Sequence, residues 1–165
     1  MTAGKLSFKK KFALALFRRY KGTQQQLHRL NYLFWECTLR CNLSCRHCGS
    51  ECKKDALVKD MPASDFFHAL DQLKSLVSPH QTMIALTGGE ALIRKDLEEI
   101  GHDLYDRGFP WGIVTNGMLL NGKRLNSLID AGLRSVTVSL DGLADSHNWL
   151  RDNNTSFEKA FTAIR

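Results

Sequence analysis

Strand-like and helix-like stretches alternate four times between Asn31 and Arg165, and that order most narrows the folds open to this chain. Asn31 to Cys37 is a short apolar run rich in aromatics and reads as a strand. Pro62 suits a first helical position ahead of Phe66, Leu70, Leu73 and Leu76, which recur at helical spacing. Thr82 to Leu86 reads as a second strand running into Thr87-Gly88-Gly89-Glu90, and Leu97, Ile100 and Leu104 mark the next helix. Trp111 to Thr115 is a third strand closed by Asn116-Gly117, and Leu125, Leu128 and Ile129 give a helix ending near Gly132. Ser135 to Leu140 is a β-branched fourth strand followed by Asp141-Gly142, and Thr155 with Glu158 fits a capping box that opens a final helix. Successive βα units predict an α/β fold with a parallel sheet, curved or barrel-like, and helices on its outer face. Such sheets hold ligands at the carboxyl ends of their strands. Every chemically interesting segment follows a strand, so all of them fall on one rim.

The segment after the first strand carries Cys37, Cys41, Cys45, Cys48 and Cys52, and no cysteine lies elsewhere. An odd number packed so tightly makes a poor disulfide framework and a good metal or cluster site, and it favours a reducing compartment. Cys41, Cys45 and Cys48 stand at x3 and x2 spacing. Three thiolates on a four-iron cluster leave one iron open, and an open metal position serves catalysis more than structure. A four-thiolate zinc site that recruits Cys37 or Cys52 is the competing reading. Cys37 also reads as a small buried hydrophobe, and Cys52 as a spare thiol.

Taken together, Cys41-Asn42-Leu43-Ser44-Cys45-Arg46-His47-Cys48, Gly88-Gly89-Glu90, Thr115-Asn116-Gly117 and Ser139-Leu140-Asp141-Gly142 resemble the radical S-adenosylmethionine (SAM) enzymes over about residues 31–165. The one departure is Ala91, where that family usually has proline after the glutamate. The resemblance implies a partial parallel (β/α) barrel and a [4Fe–4S] cluster held by Cys41, Cys45 and Cys48. It implies that His47 lies near the SAM adenine and that Gly88, Gly89 and Glu90 meet the methionine amino group. Ser139 is expected at the ribose or carboxylate, and Thr115 and Asn116 at cofactor or substrate. On their own residues, Thr115 and Asn116 read equally as a turn that caps a strand, Ser139 as a locally bonded strand-end serine, and Arg151 as an exposed helix arginine or a contact to the cofactor carboxylate. The implied activity is reductive cleavage of SAM to a 5′-deoxyadenosyl radical that abstracts hydrogen. A reducing partner such as flavodoxin or ferredoxin is implied with it. The run from Ser139 through His147 and Arg151 to Lys159 resembles the SPASM-type branch that modifies peptides or proteins. That family's barrel usually has six βα units and four are legible, so the rest is expected from further sequence or a partner chain.

Charge divides the chain at the same place. The formal net charge is +6, yet residues 1–35 carry eight Lys or Arg and no Asp or Glu. The remaining 15 basic and 17 acidic residues leave −2, so basicity belongs to one end and no nucleic acid is expected. Residues 5–29 read as a basic amphipathic helix or pair of helices, with Leu6, Phe8, Phe12, Leu16 and Phe17 among the basic residues. Two uses compete for it, docking on the domain or contact with a membrane surface or acidic partner. The apolar stretch Phe12 to Phe17 is too short for a signal peptide, and no run approaches the roughly 20 residues of a membrane span. A cytoplasmic protein is expected. His28, His68, His80, His102 and His147 lack paired ligand spacing and read as surface or capping residues.

Overall fold

The computed structural model describes residues 7–27 and 29–165, which fall into two compact units divided between Leu30 and Asn31. The first unit holds one helix, α1 (Phe8–Leu27). Leu6 and His28, both part of the helical expectation, lie outside the described residues. No helix among the described residues is long and apolar enough to cross a membrane.

The second unit runs β1 (Tyr32–Thr38), α2 (Ala63–Gln72), β2 (Met83–Gly88), α3 (Leu97–Asp106), β3 (Trp111–Thr115), α4 (Gly122–Asp130), β4 (Leu133–Val138), α5 (Ala144–Arg151) and α6 (Ser156–Ile164). Single 3-10 turns occupy Pro79–Gln81 and Ala91–Ile93. The strands form one sheet in the order β1-β2-β3-β4, and every neighbouring pair is parallel. In register, Phe34 stands opposite Ala85, Ala85 opposite Gly112, and Gly112 opposite Ser135. A sheet whose spatial order repeats its chain order is wound in one direction, which is the arrangement of a partial barrel. The expected fold class is therefore the observed one.

One face of this sheet makes the core. Trp35, Ile84, Leu86, Trp111 and Ile113 cluster with Phe66, Leu70, Leu97, Ile100, Leu104 and Leu128 from α2, α3 and α4. Each large apolar side chain so buried stabilises the fold by about 1.5–3 kcal/mol before the entropy of ordering is counted. Helix α3 lies close against β3 at Gly101, where a Cβ would collide with the Trp111 ring. The indole N–H of Trp111 donates to the Ala131 carbonyl at 3.2 Å, so the polar edge of this buried ring is satisfied.

One helix is added and one local expectation is corrected. Asp145, Ser146 and Asn148 break any apolar period in the eight residues of α5, so only the helical reading of Arg151 anticipates it. The capping box at Thr155 does not form. Thr155 has a helix-like backbone (φ −111°, ψ 0°) and makes no side-chain cap, while Asn148 Oδ1 accepts the Phe157 N–H at 2.9 Å.

Candidate cofactor site

Pairing between the first two strands continues past their ends. Gly89 N–H donates to Thr38 O at 2.8 Å and Glu90 N–H to Arg40 O at 2.9 Å, which lays the start of the cysteine loop along Gly-Gly-Glu. The glycines make this possible. Gly88 sits at φ +129°, and a Cβ there would strike the Thr38 carbonyl; a Cβ on Gly89 would strike that of Arg40 and come within 3.0 Å of Cys41 Cβ. Asp60 fixes the same corner, accepting from Thr38 Oγ1 at 2.6 Å and pairing with Arg40. Further along, Cys41 N–H donates to Lys53 O at 3.0 Å.

The other end of the loop is tied to α5. Arg46 donates its backbone N–H to Leu150 O at 2.8 Å and its Nε to Trp149 O at 2.9 Å, and its guanidinium meets Asp152 at 2.5 Å. Helix α5 stops there because Asp152 turns left-handed at φ +51°, which leaves Leu150 O to the Arg46 N–H, while Trp149 O is shared between Arg46 Nε and the Asp152 N–H at 3.3 Å. Sequence reasoning missed Arg46. Only its place between two cysteines marked it.

Cys41, Cys45, His47, Cys48, Gly88, Gly89, Thr115, Asn116 and Ser139 line one open cavity at the carboxyl ends of the strands. Cys52 and Arg151 line it too. Ser139 receives its place from the sheet, donating its backbone N–H to Thr115 O at 2.9 Å, and its hydroxyl has no partner among the described residues. The His47 ring is part-exposed, with Nε2 3.9 Å from Asp141 Oδ1. Arg151 is not the exposed helix arginine of the competing reading. Its side chain is 12% exposed, its Nε donates to Asp141 Oδ2 at 2.6 Å, and its Nη1 stands 3.8 Å from Cys45 Sγ. Burial alone would raise the Asp141 carboxyl, but the Arg151 hydrogen bond and charge, with His47 and His147, hold it below the usual carboxylate range.

Glu90 departs from its expected place. Only 1% exposed, it does not line the cavity. Its Oε1 accepts from Leu92 N–H at 3.2 Å and Thr115 Oγ1 at 2.8 Å, and its Oε2 accepts from Asn116 N–H at 2.8 Å. A buried carboxylate needs such donors, and here they come from the ends of β2 and β3. Burial raises its pKa above the ordinary value, against the pull of these bonds and of Arg151. Thr115 and Asn116 do form a turn as well: Thr115 Oγ1 accepts Gly117 N–H at 3.0 Å, and Asn116 Oδ1 accepts Met118 N–H at 2.9 Å. Asn116 Nδ2 reaches across to Asn42 Oδ1 in the cysteine loop, at 2.7 Å.

His147 corrects another expectation. Fully buried, it takes Asp141 N–H on Nδ1 at 3.2 Å and meets Ser156 Oγ through Nε2 at 3.0 Å, which joins α5 to α6. Burial, then the Arg151 charge, depress its pKa. Cys37 is also fully buried. Its Sγ donates to Thr87 O at 3.2 Å, and burial pushes its thiol up to about 12. Burial and the neighbouring Cys48 raise Cys52 to about 11.

The donor set of the cavity is four thiols of unequal burial, with Cys37 on the far side of β1 in the core. Among the described residues no three Cys, His, Asp or Glu groups converge closely enough to hold a single metal ion. A zinc ion asks for that convergence, with thiolates about 2.3 Å from one centre. A cubane does not, because each thiolate takes a different iron at a different corner.

Known proteins resemble this chain in sequence and in fold. The family model described as the Radical SAM superfamily matches residues 35–165. The chain is 32% identical over 130 residues to Fe-coproporphyrin III synthase of Methanosarcina barkeri, a match covering 79% of this chain and 32% of that protein. It is 31% identical over 110 residues to PqqA peptide cyclase of Bradyrhizobium diazoefficiens, covering 67% of this chain and 28% of that one. The chain thus spans about a third of the length of the curated relatives it matches. Among solved structures, Streptococcus suis SuiB bound to S-adenosylmethionine superposes with a TM-score of 0.57 at 17% identity, over 95% of this chain and 37% of SuiB. BtrN in complex with AdoMet and 2-DOIA superposes with a TM-score of 0.57 at 24% identity, over 79% of this chain and 55% of BtrN. These likenesses establish a shared fold.

Proposed function

This chain belongs to the Radical SAM superfamily, and on that premise we propose that residues 31–165 are the N-terminal part of a radical SAM core that cleaves SAM reductively, with residues 1–30 as a basic extension. The family's cofactors are a [4Fe–4S] cluster and SAM. When bound, they supply one-electron cleavage of the sulfonium and abstraction of a substrate hydrogen atom. The residues present fit them. Cys41, Cys45 and Cys48 would hold three irons, leaving the fourth open to SAM. The observation that carries this reading is that these thiols share one cavity with the backbone of Gly88 and Gly89 and the free hydroxyl of Ser139. Gly88 and Gly89 leave main-chain polar groups at the rim for the methionine moiety, Ser139 offers a donor to ribose or carboxylate, and His47 offers a ring face to adenine. Arg151 brings a cation beside Cys45 for the negative charge of cluster or carboxylate. Glu90 acts on SAM indirectly, by bracing the two segments that would touch it.

A peptide or protein is the proposed substrate, supported by the likeness to PqqA peptide cyclase. A tetrapyrrole is the second reading, favoured by the 32% identity to Fe-coproporphyrin III synthase. A low-potential reductant of the flavodoxin or ferredoxin kind would complete the system, in the cytoplasm where thiols stay reduced. The test is anaerobic reconstitution and reduction followed by EPR of the reduced protein, then addition of SAM and assay for 5′-deoxyadenosine. A folded protein with no [4Fe–4S] signal and no 5′-deoxyadenosine overturns the reading. Acceleration of that product by a coproporphyrin and by no peptide selects the tetrapyrrole.

A further inference from the structure

Helix α1 is a unit with no second element of its own to pack against among the described residues, yet it carries a run of large apolar side chains. Phe8, Phe12, Leu16 and Tyr20 follow one another at four-residue steps, so they stack along one side of the helix. Ala13 and Phe17 widen that stripe to about half the circumference. The stripe is exposed, with Phe8 at 83%, Phe12 at 61% and Leu16 at 60%. Lys10, Lys11, Arg18 and Lys21 occupy the opposite side, and the helix contains no acidic residue. Lys9 and Arg19 fall toward the apolar side, where their long stems let the charges reach outward, and Leu14 falls on the basic side.

We propose that α1 is an interfacial anchor that lies in the surface of an anionic phospholipid membrane, its Phe8-Phe12-Leu16-Tyr20 stripe in the acyl boundary and its basic side on the headgroups. The two halves of the helix together select this occupant. A nucleic acid or an acidic protein surface would meet the cations but would leave the phenyl rings in water. A second copy of α1 would cover the stripe but would set two helices of like charge against each other. A membrane of anionic lipid accepts both faces at once. The anchor would confine the cysteine-bearing unit to the zone next to a membrane, and so to substrates presented there.

The test is flotation of the full chain with vesicles of phosphatidylcholine alone and of phosphatidylcholine mixed with phosphatidylglycerol. The expected result is binding to the mixed vesicles on the order of a hundredfold tighter than to the neutral ones, weakened by salt. Phe12→Gln with Leu16→Gln abolishes it although every charge of the helix is unchanged. Lys10→Gln, Lys11→Gln, Arg18→Gln and Lys21→Gln together remove most of the preference for mixed vesicles, with Lys9 and Arg19 retained, and leave the apolar stripe whole. Equal binding to both vesicle types overturns the proposal, and so does undiminished binding of the Phe12/Leu16 variant, which would mark a purely electrostatic surface for another partner. A concentration-dependent dimer that the same variant dissolves, without lipid binding by the parent, assigns the stripe to a second copy and equally overturns it.

Discussion

Replacing Glu90 by alanine removes the acceptor of three donors at once: Leu92 N–H, Thr115 Oγ1 and Asn116 N–H. The Thr115 hydroxyl can rotate toward another acceptor, but the two backbone N–H groups cannot, and each buried donor left unpaired costs about 1–3 kcal/mol. Against this stands relief from holding a desolvated carboxylate, which its raised pKa records. The expected net loss for Glu90→Ala is roughly 2–4 kcal/mol. Glu90→Gln keeps one carbonyl oxygen, which can serve Leu92 and Thr115, but turns an amide NH2 toward Asn116 N–H. Its expected loss is smaller, roughly 1–2 kcal/mol. The assay is urea unfolding followed by tryptophan fluorescence at fixed pH, with the slope of each transition checked against the parent. The parent should also lose stability as pH rises from the ordinary carboxylate range through the higher folded pKa of Glu90, because the unfolded chain gives up that proton first. The Gln variant should lack that decline. If Glu90→Ala unfolds at the parental urea concentration, or if Glu90→Gln keeps full stability and loses only SAM affinity, the carboxylate is a ligand and the bracing argument is wrong.

Gly89→Ala drives a methyl group into the Arg40 carbonyl and should cost about 3 kcal/mol or more, with poor cluster incorporation, read by urea unfolding and iron content. Arg46→Ala removes the bonds to Trp149 O and Asp152 and leaves only the backbone bond to Leu150 O, which loosens the far end of the cysteine loop, so thiols of the cluster-free protein should react faster with Ellman's reagent while the sheet unfolds at an unchanged temperature. His147 has a depressed folded pKa, so the unfolded chain binds its proton first and stability should fall as pH drops below the ordinary histidine value. Comparing urea midpoints of the parent and His147→Gln between neutral and mildly acidic pH isolates that slope from the opposite one of Glu90. Cys41→Ser should abolish the [4Fe–4S] EPR signal, whereas Cys37→Ser, in the core, should leave the signal in place and lower stability.

The sheet was legible because its strands obey simple periodicity and their ends carry the conspicuous residues. Trp111 to Thr115 could be read to the residue, since a buried parallel strand is a short continuous apolar run. Helix α5 was barely legible, marked only by the helical reading of Arg151. Its residues are mostly polar, and it is held by contacts that only folding creates, such as His147 against Ser156 and its terminal carbonyls against Arg46. The same cause explains His147 itself. A lone histidine among polar residues reads as exposed, and nothing nearby in sequence announces that Ser156 will return to cover it. Cys41, Cys45 and Cys48 could be grouped by spacing alone, whereas Glu90 was expected at the ligand beside its two glycines from the family resemblance, and neither spacing nor resemblance gives the orientation of a side chain.

That misplacement says something about how such a rim is built. A charged side chain facing the ligand would be held by solvent and by the ligand itself, and would shift with either. Glu90 turns inward, spending its charge on Asn116 N–H and Thr115 Oγ1, while Asn116 in turn holds Asn42 of the cysteine loop. The chain of contacts thus runs from Gly-Gly-Glu through the end of β3 to the residue beside Cys41. On the other side, Arg46 ties the stretch between Cys45 and Cys48 to α5, which carries Arg151 against Asp141. The loop is gripped from two directions by groups outside the thiols. Preorganisation of this kind would lower the entropic cost of ordering the three thiols around the proposed cluster. Breaking either grip alone should therefore slow cluster assembly more than it alters the properties of the assembled site.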